Sequence, residues 1–384
     1  MKITEIAAHL MGVPGPGGLA PSRNWTFVRV ETDEGISGVG EATTEYHEHA
    51  VVAMIEQHLA PLLIGQDPTR VHAAWQQMQR FFWWRGGVVA SSAASGVEQA
   101  LWDITGKAYG QPVYKLLGGA VRDRVRVYAR TDLGLATYAD EARAAVAEGF
   151  DAFKFGPGRY VEPYDDERQV DAALSTAQEI REATGPACEL IIDCGGIFSL
   201  QAAHRLIAGL RDVRMLFVEE PVNADTPRGL IELRRAFPDM RIAAGERLVT
   251  RWQFREWLEQ GAVDAVQPDV SHCGGIGELL RIASYAEVHN VQVAPHNPCG
   301  PVALAASVHA CACMPNFLIL EHCRHRPWFE DVQVSGPTVK DGRITPGDRP
   351  GLGVELDWDY VKKHPYQRLP LRTFTDRNGG MPLV

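Results

Sequence analysis

No run of apolar residues in this 384-residue chain is long enough to span a bilayer, and the opening MKITEIAAHL lacks the basic start and long apolar core of a signal peptide. The opening reads instead as the first strand of the mature protein, and a cytoplasmic location is expected. The chain has no C-x-x-C pair, and its seven cysteines (188, 194, 273, 299, 311, 313 and 323) are odd in number and absent from the first 187 residues. Zinc-ribbon and disulfide-scaffold designs are thereby disfavoured, and Cys194, Cys273 and Cys299 read as small reduced fillers. Clustered Lys and Arg are missing too. With a net charge of -10 and no basic face, a nucleic-acid partner is not expected, nor is a membrane. Hydrophobic residues make up 45% and charged residues 22%, the balance of a soluble globular enzyme, with room for about two domains or one large barrel with an added lobe.

What the chain does contain is a periodic placement of polar residues at the ends of short apolar runs. IIDCGG carries Asp193, MLFVEEP carries Glu219 and Glu220, RIAAGER ends near Glu246, AVDAVQPD ends on Asp269, VQVAPHNP holds His296 and FLILEH holds Glu321. The steps from Asp193 through Glu219, Glu246, Asp269 and His296 to Glu321 are 26, 27, 23, 27 and 25 residues. One buried strand, one helix of three to four turns and two short loops consume about that many. Each polar residue therefore falls at the same end of its strand, the end at which parallel β/α folds bind ligands.

Residues 1–122 read as a separate lobe. NWTFVRVETDEGISGVGEA predicts a hairpin turning at Asp33, Glu34 and Gly35. The Gly/Pro-rich stretch from 12 to 24 is expected to be a loop, a mobile cover beside that strand pair. TTEYHEH places Tyr46 and His47 in a polar patch able to face a ligand. FFWWRGG (81–87), the most aromatic stretch, reads as an interface, with Arg85 in reach of an anion. Val97, Leu101 and Ile104 set the stripe of a helix that stops at Gly118-Gly119. Eight strand candidates alternate with helical segments between Val125 and Glu321, the count of a (β/α) barrel. Residues 329–384 have no room for another barrel unit and are expected to return to the first lobe.

Asp193, Glu219 and Glu246 on successive strand ends form an all-oxygen set suited to Mg²⁺, since three unpaired charges so placed would repel strongly. His296 with Asp269 against one ring nitrogen has the makings of a directed base. Glu321 is a candidate donor toward an oxyanion if neighbouring acids raise its pKa. Lys154 either neutralises a substrate carboxylate or pairs with Asp193. A cation, such a base and a Lys suffice to abstract a proton next to a carboxylate and hold the ene-diolate.

The order Lys154, Asp193, Glu219, Glu246, Asp269, His296, Glu321 resembles the mandelate racemase subgroup of the enolase superfamily. ETDEGISGVGE, QALWDITGK and PGLGVELD extend that likeness over nearly the whole chain, and QPDVSHCGGIGE, APHNPCGPVALAAS and PNFLILEH look most like galactonate dehydratases. The resemblance implies an α/β architecture: a modified TIM barrel, (β/α)7β, over residues 123–328, with an α+β capping domain formed by residues 1–122 and the tail 329–384. It implies Mg²⁺ on Asp193, Glu219 and Glu246, a base at His296 assisted by Asp269, and a hydrogen-bonding Glu321. Two positions depart from the pattern. Racemases of the subgroup use Lys-x-Lys where this chain has Lys154-Phe155-Gly156, and galactonate dehydratases carry an acid His where this chain has Gly195. The expectation is a dehydratase that removes the α-proton of a sugar acid and yields a 2-keto-3-deoxy acid. The acid that expels the hydroxyl is sought at His296 itself, Tyr46, His47, Tyr160 or His322. An epimerase or cycloisomerase using Lys154 as second base, and a binding or regulatory member with negligible turnover, are the alternatives. A homo-oligomer is expected.

Overall fold

The structure is a computed structural model and describes residues 1–15, 21–80, 83–158, 166–324 and 327–369. β1 (Ile3–Pro14), β2 (Pro21–Thr32) and β3 (Ser37–Glu41) form an antiparallel sheet. The β2–β3 turn contains Asp33, Glu34 and Gly35, and Gly35 takes the positive φ of 75° that the turn requires. The Gly/Pro-rich stretch is more regular than expected. Gly12 pairs with Asn24 and Val13 with Arg23, so both ends of the stretch belong to the ladder, while 16–20 lie outside the described residues. Glycine is needed at position 12 because a Cβ there would stand 2.7 Å from the Pro365 carbonyl oxygen. Five helices follow: α1 (Glu48–Ala53), α2 (Ala60–Leu63), α3 (Val71–Arg80), α4 (Val88–Ala108) and α5 (Val113–Leu116).

Eight parallel strands then alternate with helices. They are β4 (Val125–Arg130), β5 (Ala152–Phe155), β6 (Glu189–Asp193), β7 (Met215–Glu219), β8 (Ile242–Ala244), β9 (Ala265–Val266), β10 (Gln292–Val293) and β11 (Leu320–His322). The helices between them are α6 (Tyr138–Ala147), α7 (Asp166–Thr184), α8 (Leu200–Leu210), α9 (Arg228–Ala236), α10 (Thr250–Glu259), α11 (Ile276–Val288) and α12 (Pro301–Cys313). Neighbouring strands pair in sequence order from β4 to β10, and β11 returns to β4. Val293 N to Asn316 O (2.9 Å), Leu318 N to Val293 O (2.8 Å) and Glu321 N to Pro295 O (3.2 Å) join the remaining two edges. The curled sheet is thus a barrel of eight strands, as the alternation implied.

The interior is filled by one side chain or two from each strand, including Tyr128, Ala152, Ile191, Phe217, Ala294 and Ile319. Side chains on a strand alternate between faces, so the residue two positions on points the same way. Those residues are Arg130, Lys154, Asp193, Glu219, His296 and Glu321. The barrel core therefore delivers the functional set to one mouth. Gly245, at φ 125°, interrupts the count before Glu246.

The chain after the barrel contains α13 (Trp328–Asp331), β12 (Gln333–Ser335), β13 (Arg343–Ile344), β14 (Glu355–Leu356) and α14 (Trp358–Lys363). It runs back to the first sheet: Gly12 N donates to His364 O at 2.8 Å, Gln367 N to Asn24 Oδ1 at 2.9 Å, and Trp358 packs on His9 and Arg29. β13 pairs with β4 instead, so this segment touches the barrel as well.

Between the lobes, α4 is buried almost throughout, although its sequence is rich in Ser, Glu and Gln. Its polar side chains grip the segment after β9. Ser91 Oγ donates to His272 O at 2.6 Å, Ser95 Oγ accepts from Gly274 N at 2.9 Å, and Gln99 Nε2 donates to Val270 O at 3.3 Å. Glu98 accepts from Ile276 N and Gly277 N at 2.8 and 2.9 Å and so caps α11. Glu41 does the same for α12 through Gly300 N and Ala303 N. Among the described residues no helix is long and apolar enough to cross a membrane.

Candidate active site

The mouth opens on a cavity of about 280 Å³ bordered by Asp193, Glu246 and His296 from the barrel and by Arg23, Thr43 and Glu45 from the capping lobe. His296 Nδ1 lies 2.8 Å from Asp269 Oδ2, and its Nε2 is 3.4 Å from Glu246 and 3.8 Å from Glu321. Asp269 is fully buried, and its other oxygen accepts from Ser271 N at 2.7 Å. Burial alone would lower the His296 pKa, but Glu246, Glu321 and Asp269 together push it up to about 10. Of these the charge of Glu246 is the largest contribution.

Lys154 sits at the centre of the acids, with Nζ 2.9 Å from Glu219, 3.0 Å from Glu321 and 3.4 Å from Asp193. It pairs with Asp193, one of its two expected roles, and with two further carboxylates. Burial disfavours its charge, yet Glu219 and Glu321 hold its pKa well above normal. Glu321 differs from the expected donor. Burial would raise its pKa, but Lys154, His296 and Arg130 at 3.1 Å depress it, and Asn297 N donates to it at 3.0 Å. In these surroundings it is an ionised acceptor.

The acids outnumber the cations: Asp193, Glu219, Glu246, Asp269 and Glu321 face Lys154 and Arg130. Glu219 Oε2 is buried with no hydrogen-bond partner, and burial followed by the charge of Asp193 raises the Glu219 pKa well above normal. Glu220, at φ 39°, turns away to an ion pair with Arg247 at 2.9 Å. An orphaned carboxylate oxygen in an all-oxygen, over-acidic set fits a hard divalent cation, and Asp193, Glu219 and Glu246 are the residues that would hold it. Among the described residues no three His, Cys, Asp or Glu side chains already converge as a metal cage.

The remaining predicted residues are dispersed. Tyr46 and His47 are exposed, and His47 Nδ1 contacts its neighbour's Glu45 carbonyl at 3.1 Å. Arg85 borders a different cavity with Arg80 and Trp252. His322 follows Glu321 by one residue and so faces out of the barrel, stacked on Phe150 and edge-on to Phe329. Tyr160 lies outside the described residues. Cys194, Cys273 and Cys299 are buried free thiols whose pKa burial pushes up. Arg23, Arg130 and His272 are among the mouth residues that the sequence reading does not single out. Arg130 ends its strand as the acids do and was legible by the same rule. His272 follows Asp269 by three residues, whereas Arg23 reaches the site only through the docking of the lobes.

The site is thus a barrel mouth carrying an acid cluster and a His–Asp dyad beneath a capping lobe. Residues 20–118 match the family described as mandelate racemase/muconate lactonizing enzyme, N-terminal domain, and residues 137–360 match enolase C-terminal domain-like. A D-galactonate dehydratase of Verminephrobacter eiseniae is 41% identical over 365 residues, covering 93% of this chain and 92% of that protein. One from Pectobacterium atrosepticum is 37% identical over 388 residues and covers 98% of both. Among solved structures, an enolase from Agrobacterium radiobacter with sodium and L-malate bound has a TM-score of 0.89 at 32% identity, covering 99% of both chains. A mandelate racemase/muconate lactonizing enzyme-like protein from Rubrobacter xylanophilus has a TM-score of 0.85 at 33% identity, covering 96% of this chain and 98% of that one. The chain belongs to the mandelate racemase/muconate lactonizing enzyme family of the enolase superfamily.

Proposed function

We propose that the protein is a Mg²⁺-dependent dehydratase of a sugar acid, similar in reaction to the galactonate dehydratases it resembles. The observation that carries this reading is the single oriented base, His296 on Asp269 at 2.8 Å, set beside the carboxylates of three successive strands. His296 Nε2 takes the proton α to the substrate carboxylate. The electron pair left behind forms a carbon–carbon double bond as the β-hydroxyl departs with a proton, and the enol product tautomerises to a 2-keto-3-deoxy acid. A divalent cation on Asp193, Glu219 and Glu246 supplies Lewis-acid stabilisation of the negative charge that develops on the substrate carboxylate. Asp269 keeps one imidazole nitrogen occupied and stabilises the imidazolium that forms. Lys154 neutralises Glu219 and Glu321.

Epimerisation needs a second base on the opposite face. Lys154 is the candidate, but its ammonium is tied to three carboxylates, which favours elimination over racemisation. A screen of hexonates, pentonates and aldarates with Mg²⁺ and with EDTA tests the reading. The expected result is a 2-keto acid from at least one of them with Mg²⁺ alone. Solvent deuterium entering recovered substrate without loss of water would mark an epimerase, and no reaction anywhere would sink the enzymatic reading.

A further inference from the structure

Hydroxide is a poor leaving group, so loss of the β-hydroxyl needs a proton donor, either His296 once it has taken the α-proton or a second acid. Most groups at the cavity cannot serve. Arg23 and Arg130 carry guanidiniums that do not give up a proton. Glu45 is engaged by Arg23 at 3.0 Å. The Thr43 hydroxyl donates to Glu41 at 2.7 Å, and Cys299 is a buried thiol. His272 stands apart from these. It borders the same cavity as His296, and its side chain is 16% exposed there. Its Nδ1 contacts Ser92 Oγ at 2.8 Å, and its Nε2 lies 3.9 Å from Asp269 Oδ2, the oxygen that also holds His296. Two imidazoles thus flank one carboxylate oxygen.

Resting on the dehydratase reading, we propose that His272 is the acid that protonates the departing β-hydroxyl, and that Ser92 of α4 is its positioning residue. Ser92 Oγ can accept from Nδ1–H both in the imidazolium and in the neutral ring that remains once Nε2 has given up its proton. The geometry at Nδ1 survives both states, and Nε2 is the nitrogen left to act. In the reaction the α C–H bond breaks and its proton goes to His296, while the electron pair becomes the double bond. The β C–O bond breaks, and its oxygen takes a proton from His272 Nε2 and leaves as water. One imidazole gains a proton, the other loses one, and exchange with solvent restores both. Because both rings lean on Asp269, proton and hydroxyl leave from one face of the substrate, a syn elimination. Burial lowers the His272 pKa against the charge of Asp269, which raises it, so the ring releases a proton readily once it holds one.

The test uses the full chain, Mg²⁺ and whichever hexonate, pentonate or aldarate the wild-type protein dehydrates best, run in D₂O. His272→Gln is expected to slow loss of water about 100-fold or more, while recovered substrate takes up α-deuterium faster than it loses water. That split arises because His296 still removes the proton but the hydroxyl no longer leaves. Ser92→Ala, which keeps the imidazole, is expected to shift the same ratio to a smaller degree, and it carries the test should His272→Gln not fold. Unchanged dehydration in both variants, or equal loss of exchange and dehydration, overturns the assignment. A wild-type protein that forms no 2-keto acid from any of the acids fails the dehydratase reading, and this assignment falls with it. The isotope ratio is therefore read only on a proven substrate.

Discussion

His296 Nδ1 and Asp269 Oδ2 stand 2.8 Å apart, and the second oxygen of Asp269 is held by the Ser271 amide at 2.7 Å. The carboxylate cannot rotate without losing one of these bonds, so the ring it orients is fixed with Nε2 3.4 Å from Glu246. Removing the base with His296→Asn is expected to abolish both α-deuterium exchange and keto-acid formation. Asp269→Asn, which leaves the ring in place on a poorer partner, should cost about 10²- to 10⁴-fold in kcat. Equal activity in His296→Asn and wild type would reject the base assignment.

Metal binding is measurable without turnover. A cation that binds only the folded chain stabilises it by about 2.7 kcal/mol at 100 times its Kd. Calorimetric melting of the wild-type protein is therefore expected to shift to higher temperature with Mg²⁺, and the shift should vanish in Glu219→Gln and Asp193→Asn. A Mg²⁺-dependent shift that persists in both variants would place the cation elsewhere.

Acid sensitivity has an identifiable contributor far from the mouth. Buried His309 has backbone partners on both nitrogens: Tyr114 N donates to Nδ1 at 3.2 Å, and Nε2 faces Leu352 O at 3.1 Å. A second proton would have to sit at Nδ1 against that amide. Burial lowers its pKa to about 4 despite the Leu352 carbonyl. The unfolded chain thus binds a proton below pH 6.5 that the folded chain refuses until about 4. The neutral ring's contribution is complete above pH 6.5 and is lost as pH falls toward 4, about 3 kcal/mol in all. Urea unfolding at pH 7 and pH 4.5 should show a smaller drop in His309→Asn than in wild type. An identical drop would clear His309 of the effect.

We also propose that the chain is a homo-oligomer through the aromatic segment between α3 and α4. Trp83 and Trp84 are 92% and 89% exposed, an unusual cost for two indoles unless something covers them. The double variant Trp83→Ser/Trp84→Ser is expected to sediment as a smaller species than wild type. Wild-type protein that is already monomeric at micromolar concentration would dismiss the interface.

The strand-end residues were legible because a parallel barrel repeats its unit at nearly constant length, so Asp193, Glu219, Asp269 and His296 could be placed by counting. Counting also has a parity, and parity separates Glu321 from His322. The two are adjacent in sequence and on opposite faces of β11. Arg130 obeys the same count, as a cation among acids. Arg23, Glu45 and Ser92 were not legible at all, because they reach the mouth through docking of lobes far apart in sequence. Gly12 misled for a related reason. Its small size serves the close approach of the tail at Pro365, and a close approach leaves no mark on local propensity.

The grip of α4 on the segment after β9 bears on how such proteins change. Gly275 would put a Cβ 2.2 Å from the Glu98 carboxylate, so helix and segment are fitted to each other atom against atom. An engineer who grafts a foreign lid onto this barrel to alter what it accepts must carry over Ser91, Ser92, Ser95, Glu98 and Gln99, or else rebuild the partner stretch. Helix α4 and the stretch that follows Asp269 are therefore exchangeable only together.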